Sequence, residues 1–187
     1  MSTINRLQAM TVDVEDYFHV SAFDGIIDPK EWSNISPRVG SNTHRLLDLF
    51  NENNVKATFF TLGWVAKHCP DVIKRIVDEG HELASHGTNH RRNTSMNREQ
   101  VFQDVNNSKD ILEQVGGKEV IGYRAPSFSI DKTNEYVFEI LAELGFKYSS
   151  STYPISHDLY GVPDWPRFKH LRKEGIIEIP IPTVAKG

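Results

Sequence analysis

What this sequence has little of narrows it first. It has one cysteine, Cys69, which excludes an internal disulfide and every zinc or iron–sulfur pattern built on several thiolates. Any metal here must rest on histidine and carboxylate. It has no excess of positive charge: Lys plus Arg number 21 against 25 for Asp plus Glu, a net charge of -4. That leaves no global electrostatic footprint for nucleic acid and favours a small, neutral or localised ligand. No run approaches the ~20 apolar residues that span a bilayer. Residues 1–10 contain no apolar stretch of signal-peptide length, which points to a cytoplasmic protein or one peripheral to the inner membrane. Repeats, low-complexity tracts and Pro/Gly/Ser linkers are also missing, so one domain over residues 1–187 is expected. With 39% apolar and 25% charged residues, the composition is that of a globular chain.

What is present alternates. Short β-rich runs fall at 9–14, 57–62, 82–85, 120–123, 146–149 and 176–181, and helical spacing lies between them. The helical stretches are Leu46 to Phe50, Val72 to Val77 entered by Pro70 and stopped by Gly80, about 97–115 ending at Gly116-Gly117, and Val137 to Leu144 with Asp131 or Thr133 as cap and Gly145 as stop. Strand–helix alternation favours a parallel α/β sheet or barrel. The last run meets Gly187 with nothing to cover it, which predicts a fold incomplete at its carboxy-terminal side.

Parallel α/β folds place their sites on loops leaving the carboxy-terminal ends of strands, and the chemically interesting residues fall there. Asp13, Glu15 and Asp16 end the first run; three carboxylates so close repel one another unless a cation or shared proton relieves them. Alternation puts Asp13 and Glu15 on one side. His86 and His90 follow the third run, but Gly87-Thr88-Asn89 between them makes a poor helix and lacks the glutamate of a zinc protease. Two imidazoles on a loop plus one carboxylate would form a site with open positions for water and substrate. Arg124 precedes Ala125-Pro126, which helps fix its direction, and a guanidinium near Asp13 would orient that carboxylate. The other six histidines, His19, His44, His68, His81, His157 and His170, read as surface or packing residues.

Together these segments resemble the polysaccharide deacetylases with a NodB homology domain, carbohydrate esterase family 4, and within them a subgroup associated with bacterial exopolysaccharide loci. The first motif, T-F-D-D, is read over Thr11-Val12-Asp13 and Val14-Glu15-Asp16; the second, H-[ST]-x-x-H, over His86 to His90; the third, R-x-P-Y, over Arg124-Ala125-Pro126-Ser127. The subgroup's phrases are matched at Asp13 to His19, Tyr123 to Ser129 and Tyr153 to Gly161. The resemblance implies a distorted (β/α) barrel that hydrolyses N-acetyl or O-acetyl groups on a bacterial polysaccharide or its precursor. Asp13 would be the general base, Arg124 its holder, and His86 and His90 metal ligands. Both Glu15 and Asp16 stand as the third ligand, because the family's own position is Val14 here. Zinc is the default ion, with cobalt, nickel and iron open. Tyr17, Tyr123, Pro126, Ser127 and Phe128 are the substrate-contact candidates; Phe18 and Tyr153 are further aromatics for sugar stacking. The implied partners are an acetylated glycan and exopolysaccharide biosynthesis machinery. Two departures stand out: no counterpart of the family's carboxy-terminal histidine, and Ser149 where the subgroup carries Asp. They leave open a catalytically impaired glycan-binding barrel, beside an amidohydrolase acting on a small amide or imide.

Overall fold

A computed structural model describes residues 9–158 and 160–184. Residues 1–8, most of the segment behind the amino-terminal expectation, lie outside it. Among the described residues seven strands form one sheet: β1 Met10–Val14, β2 Ala57–Thr61, β3 Glu82–Ser85, β4 Gly122–Tyr123, β5 Tyr148–Ser149, β6 His170–Leu171 and β7 Ile177–Glu178. The order is β1-β2-β3-β4-β5-β7-β6, parallel throughout except for the β6–β7 pair. From β1 to β5, parallel neighbours follow chain order with no reversal, the arrangement of a (β/α) barrel wall rather than of a doubly wound sheet. The wall is not closed: β1 and β6 are its two edges.

Five α-helices among the described residues pack on it: α1 Val39–Glu52, α2 Gly63–His68, α3 Pro70–Asp78, α4 Arg98–Gly116 and α5 Tyr136–Glu143. In α4, Asn97 and Gln100 form a reciprocal capping box and Gly117 closes the helix at φ 64, as the spacing of those residues requires. Neither Asp131 nor Thr133 caps α5; Asp131 accepts from the Thr133 amide instead, and Glu135, which precedes the helix start at Tyr136, makes no side-chain cap. Helix α2 and the edge strand β6 were not expected from the sequence. No helix among the described residues is long and apolar enough to cross a membrane.

Paired register sorts the strand residues into two faces. Phe59 and Leu83 pair and enter the helix-side core with Ile73, Ile76, Leu112 and Val105, each fully buried large aliphatic or aromatic side chain contributing about 1.5–3 kcal/mol. Asp13, Phe60 and Ala84 pair on the opposite face, the inside of the wall, where the chemistry gathers.

Candidate active site

The loop after β3 is fixed from both sides. The amides that open α2, Gly63 and Trp64, donate to the carbonyls of Gly87 and Thr88 at 3.0 and 2.9 Å. From α4, Ser108 Oγ donates to the Gly87 carbonyl at 2.9 Å, and the Asp104 carboxylate accepts the Thr88 amide at 3.2 Å. Gly87 sits at φ 79, and a Cβ there would meet Asp104 Oδ2 at 2.9 Å, so only glycine suits the position. His90 itself has φ 55, a left-handed conformation costly for a residue with a side chain and held by its surroundings.

Three side chains converge inside the wall. Donor atoms of Glu15, His86 and His90 lie within 4.8 Å of one another, close enough for small shifts to bring them to the ~2.0–2.2 Å of a shared ion. His86 Nδ1 donates to the Arg124 carbonyl at 2.8 Å, which leaves Nε2 with its lone pair, the usual outer-shell arrangement of a ligating histidine. His90 Nε2 is 3.0 Å from Glu15 Oε2, yet the contact lacks hydrogen-bond direction: Glu15 Oε2 and His90 Nδ1 are both buried without a hydrogen-bond partner. Orphaned buried polar atoms are costly. A cation seated among these groups would satisfy the carboxylate, so the residues present fit a divalent ion. Burial alone would raise the Glu15 carboxyl, but the close approach of His90, with His86 and His19 behind it, outweighs burial and holds it below its ordinary value. Burial pushes the His86 imidazole down, toward the neutral form that ligation needs.

Asp16 is engaged elsewhere. Its carboxylate accepts the amides of Tyr17 at 2.9 Å and Val39 at 2.8 Å, with that of Arg38 beside them, capping a short 3-10 turn and α1 together. As a ligand candidate it is displaced by Glu15, because capping turns its oxygens to backbone N–H groups.

Asp13 lies beside the cluster on the same face. Arg124 Nη1 donates to Asp13 Oδ1 at 2.6 Å, Nη2 to Thr11 Oγ1 at 3.1 Å and Ser150 Oγ at 3.0 Å, and Nε to the Ser150 carbonyl at 3.1 Å. The guanidinium also covers the Phe60 ring at 4.0 Å, a cation–π contact in a desolvated place.

The substrate-contact candidates divide. Tyr17 is exposed, with the Arg38 guanidinium 4.3 Å from its ring centroid. Ser127 and Phe128 are half-buried at φ 51 and 49, and Phe128 meets Tyr153 and Tyr160 edge-on at 5.5 and 5.9 Å. Two candidates are corrected. Tyr123 pairs with Ser85 and Ser149 on the helix side of the sheet, fully buried, its hydroxyl on Asn93 at 3.1 Å; adjacent strand residues face opposite ways, so Tyr123 points away from the site to which Arg124 points. Pro126 is buried at the start of its turn. Phe18, also raised as a sugar-stacking aromatic, is buried among Trp32 and Trp64.

His19, expected at the surface or in packing, is buried against Phe18, Trp32 and Trp64. Its Nδ1 accepts the Asp16 amide at 2.8 Å, so the ring proton sits on Nε2, which has no hydrogen-bond partner. With Trp32, Arg91 and His90 it lines a cavity of about 300 Å³ beside the cluster. Burial pulls its pKa down from 6.5 to about 4, against the charge of Glu15. Between those values the unfolded chain holds a proton that the folded chain does not, so stability is full above pH 6.5 and is lost as pH falls toward 4. The loss attached to this group is about 3 kcal/mol. His19→Asn keeps an acceptor near Nδ1 and removes the titration; urea unfolding of chelator-treated protein at neutral and acidic pH should show the variant losing about 2 kcal/mol less than the parent. Equal losses would contradict the assignment.

A family model described as polysaccharide deacetylase matches residues 31–149. The chain belongs to the polysaccharide deacetylase family. The deacetylase match contains His86, His90 and Arg124 and begins after Asp13 and Glu15, while a second model, a domain of unknown function called DUF3473, matches residues 150–187. The chain is 33% identical over 107 residues to a peptidoglycan deacetylase of Helicobacter pylori, covering 57% of this chain and 36% of that one. A solved structure from Mycobacterium smegmatis assigned to the polysaccharide deacetylases superposes with a TM-score of 0.72 at 27% identity, over 92% of this chain and 57% of the other. A Bacillus anthracis protein described as a pseudoenzyme of carbohydrate esterase family 4 shares the fold, with a TM-score of 0.59 at 19% identity over 78% of this chain and 43% of that one. The chain thus spans between about a third and somewhat over half of these relatives' lengths.

Proposed function

We propose that this chain is a metal-dependent deacetylase that removes N-acetyl or O-acetyl groups from a bacterial polysaccharide or its precursor. The observation that carries the reading is the convergence of Glu15, His86 and His90 beside the Asp13–Arg124 pair. Those three would hold the ion, zinc by default, with cobalt, nickel and iron accepted by the same donor set. A divalent ion bound there supplies Lewis acidity, lowering the pKa of water and polarising the acyl oxygen.

The chain's own groups do the rest. Asp13, steered through Oδ1 by Arg124, keeps Oδ2 to receive the proton of the attacking water. In the turn after Arg124, the amides of Phe128 and Ser129 are spent on the Ala125 and Pro126 carbonyls at 3.0 and 3.2 Å. The Ser127 amide is therefore the donor assigned to the developing oxyanion; being main-chain, it does not depend on the family's tyrosine. Phe128, Tyr153 and Tyr17 offer faces for sugar rings. Action in the cytoplasm or at the inner membrane beside exopolysaccharide machinery completes the proposal, on the strength of the motif resemblance.

A substrate panel tests it. With zinc restored after chelation, acetate should be released from N-acetylglucosamine oligomers or their O-acetylated counterparts, and no ring opening should occur on small cyclic imides. Imide hydrolysis without acetate release would favour the amidohydrolase reading. Glycan binding with no hydrolysis would favour the binding barrel.

A further inference from the structure

A fully buried carboxylate in an isoleucine-rich strand needs a reason, since burying a charge without hydrogen-bonded partners is strongly unfavourable. Glu178 of β7 is such a group, at 0% exposure between Ile176, Ile177 and Ile179. It pairs in register with Ser149, the position where the resemblance expects an acid, so the carboxylate stands one strand over. Its Oε1 accepts three hydrogen bonds: the Ser151 amide at 2.9 Å, the Thr152 amide at 2.8 Å and Thr152 Oγ1 at 2.8 Å. Two consecutive amides on one oxygen fix the curl of the chain as it leaves β5.

That curl is what grips Arg124. Ser150 supplies its carbonyl to Nε and its hydroxyl to Nη2, and Ser151 Oγ accepts the Ala125 amide at 2.9 Å. The Ile181 amide donates to the Thr152 carbonyl at 2.9 Å, a second tie from the same carboxy-terminal stretch. Arg124 in turn holds Asp13 at 2.6 Å. The path from Glu178 to Asp13 runs through the Ser151 amide, the peptide link to Ser150, and the hydrogen bonds from Arg124 to Ser150 and Asp13.

Resting on the deacetylase reading above, we propose that Glu178 is a positioning residue for the Arg124–Asp13 pair, and that the stretch matched as DUF3473 serves the site by setting the strap of residues 149–152. The role of Glu178 is to present an acceptor oxygen at a fixed height above the sheet; it does not touch substrate or the reacting atoms.

The test compares Glu178→Gln, which keeps an acceptor oxygen, with Glu178→Leu, which fills similar volume and has none. In arginine-labelled protein, the Arg124 Nε–H resonance, assigned by Arg124→Lys, should exchange with solvent slowly in the parent. Exchange should stay within about threefold of the parent in the Gln variant and become at least about tenfold faster in the Leu variant. Zinc content should be the same in all three. On an N-acetylated oligomer, the Leu variant should lose about 10- to 100-fold in kcat with KM within about twofold, and the Gln variant should restore it. Unchanged exchange in the Leu variant, equal loss in Gln and Leu, or a rise in KM at constant kcat would each overturn the proposal. Glu178→Asp, with its reach shortened, gives a second arm should the Leu variant fail to fold: exchange about threefold faster is expected, and no change overturns it. A parent that releases no acetate fails the functional reading alone, because the exchange measurement still reads the hold on Arg124.

Discussion

Replacing Asp13 by Asn should lower kcat on an acetylated glycan by about 10²- to 10⁴-fold, the range that a positioned general base contributes, and leave zinc content unchanged. The substitution keeps the size and the Oδ1 acceptor that Arg124 Nη1 reaches at 2.6 Å, but an amide nitrogen at Oδ2 cannot take a proton. Because Asp13 is outside the converging trio of Glu15, His86 and His90, the ion's seat is untouched. Kinetics and metal analysis on one preparation check both halves. A variant that loses its zinc along with its activity would show Asp13 to be a ligand rather than a base.

The second large effect concerns the ion. His86→Ala, His90→Ala and Glu15→Gln should each weaken zinc binding by at least about 100-fold, since even outer-shell partners of ligands are worth 10- to 100-fold. Chelator competition reads this directly. Asp16→Asn is the contrasting case: its carboxylate caps backbone amides at Tyr17 and Val39, so it should cost about 1 kcal/mol of stability and leave zinc affinity within a few fold. Affinity should fall as pH drops through the histidine range, because a protonated imidazole has no lone pair to offer. Burial, which pushes His86 down, moves that fall to lower pH than an exposed histidine would show.

Much of this was legible in the sequence wherever the determining information is local. Alternating apolar runs and glycine stops located β1, β2, β3, α3 and α4 closely, and the motif residues at 13, 86, 90 and 124 do meet in one place. What escaped is set by partners far along the chain. The choice between Glu15 and Asp16 is made by amides at 38 and 39, more than twenty residues on, and the same contact starts α1 seven residues ahead of the leucine pattern that announced it. Helix α2 is a six-residue segment whose first amides find acceptors on the His86–His90 loop, which no periodicity reveals. Tyr123 shares its motif with Arg124, yet adjacent strand residues face opposite sides. Ser149 stands where the resemblance expects an acid; a carboxyl side chain, Glu178, pairs with it from the neighbouring strand, visible only once β5 and β7 are paired.

The most direct measurement removes the ion from the wild-type chain with a chelator, returns zinc in measured steps, and follows acetate release from N-acetylated and O-acetylated oligosaccharides against bound zinc per chain. The account predicts no release without metal, and a rate that rises in proportion to occupancy and levels off at one ion per chain. Acetate release that persists after zinc is gone, or a fully occupied chain that releases none, would contradict it.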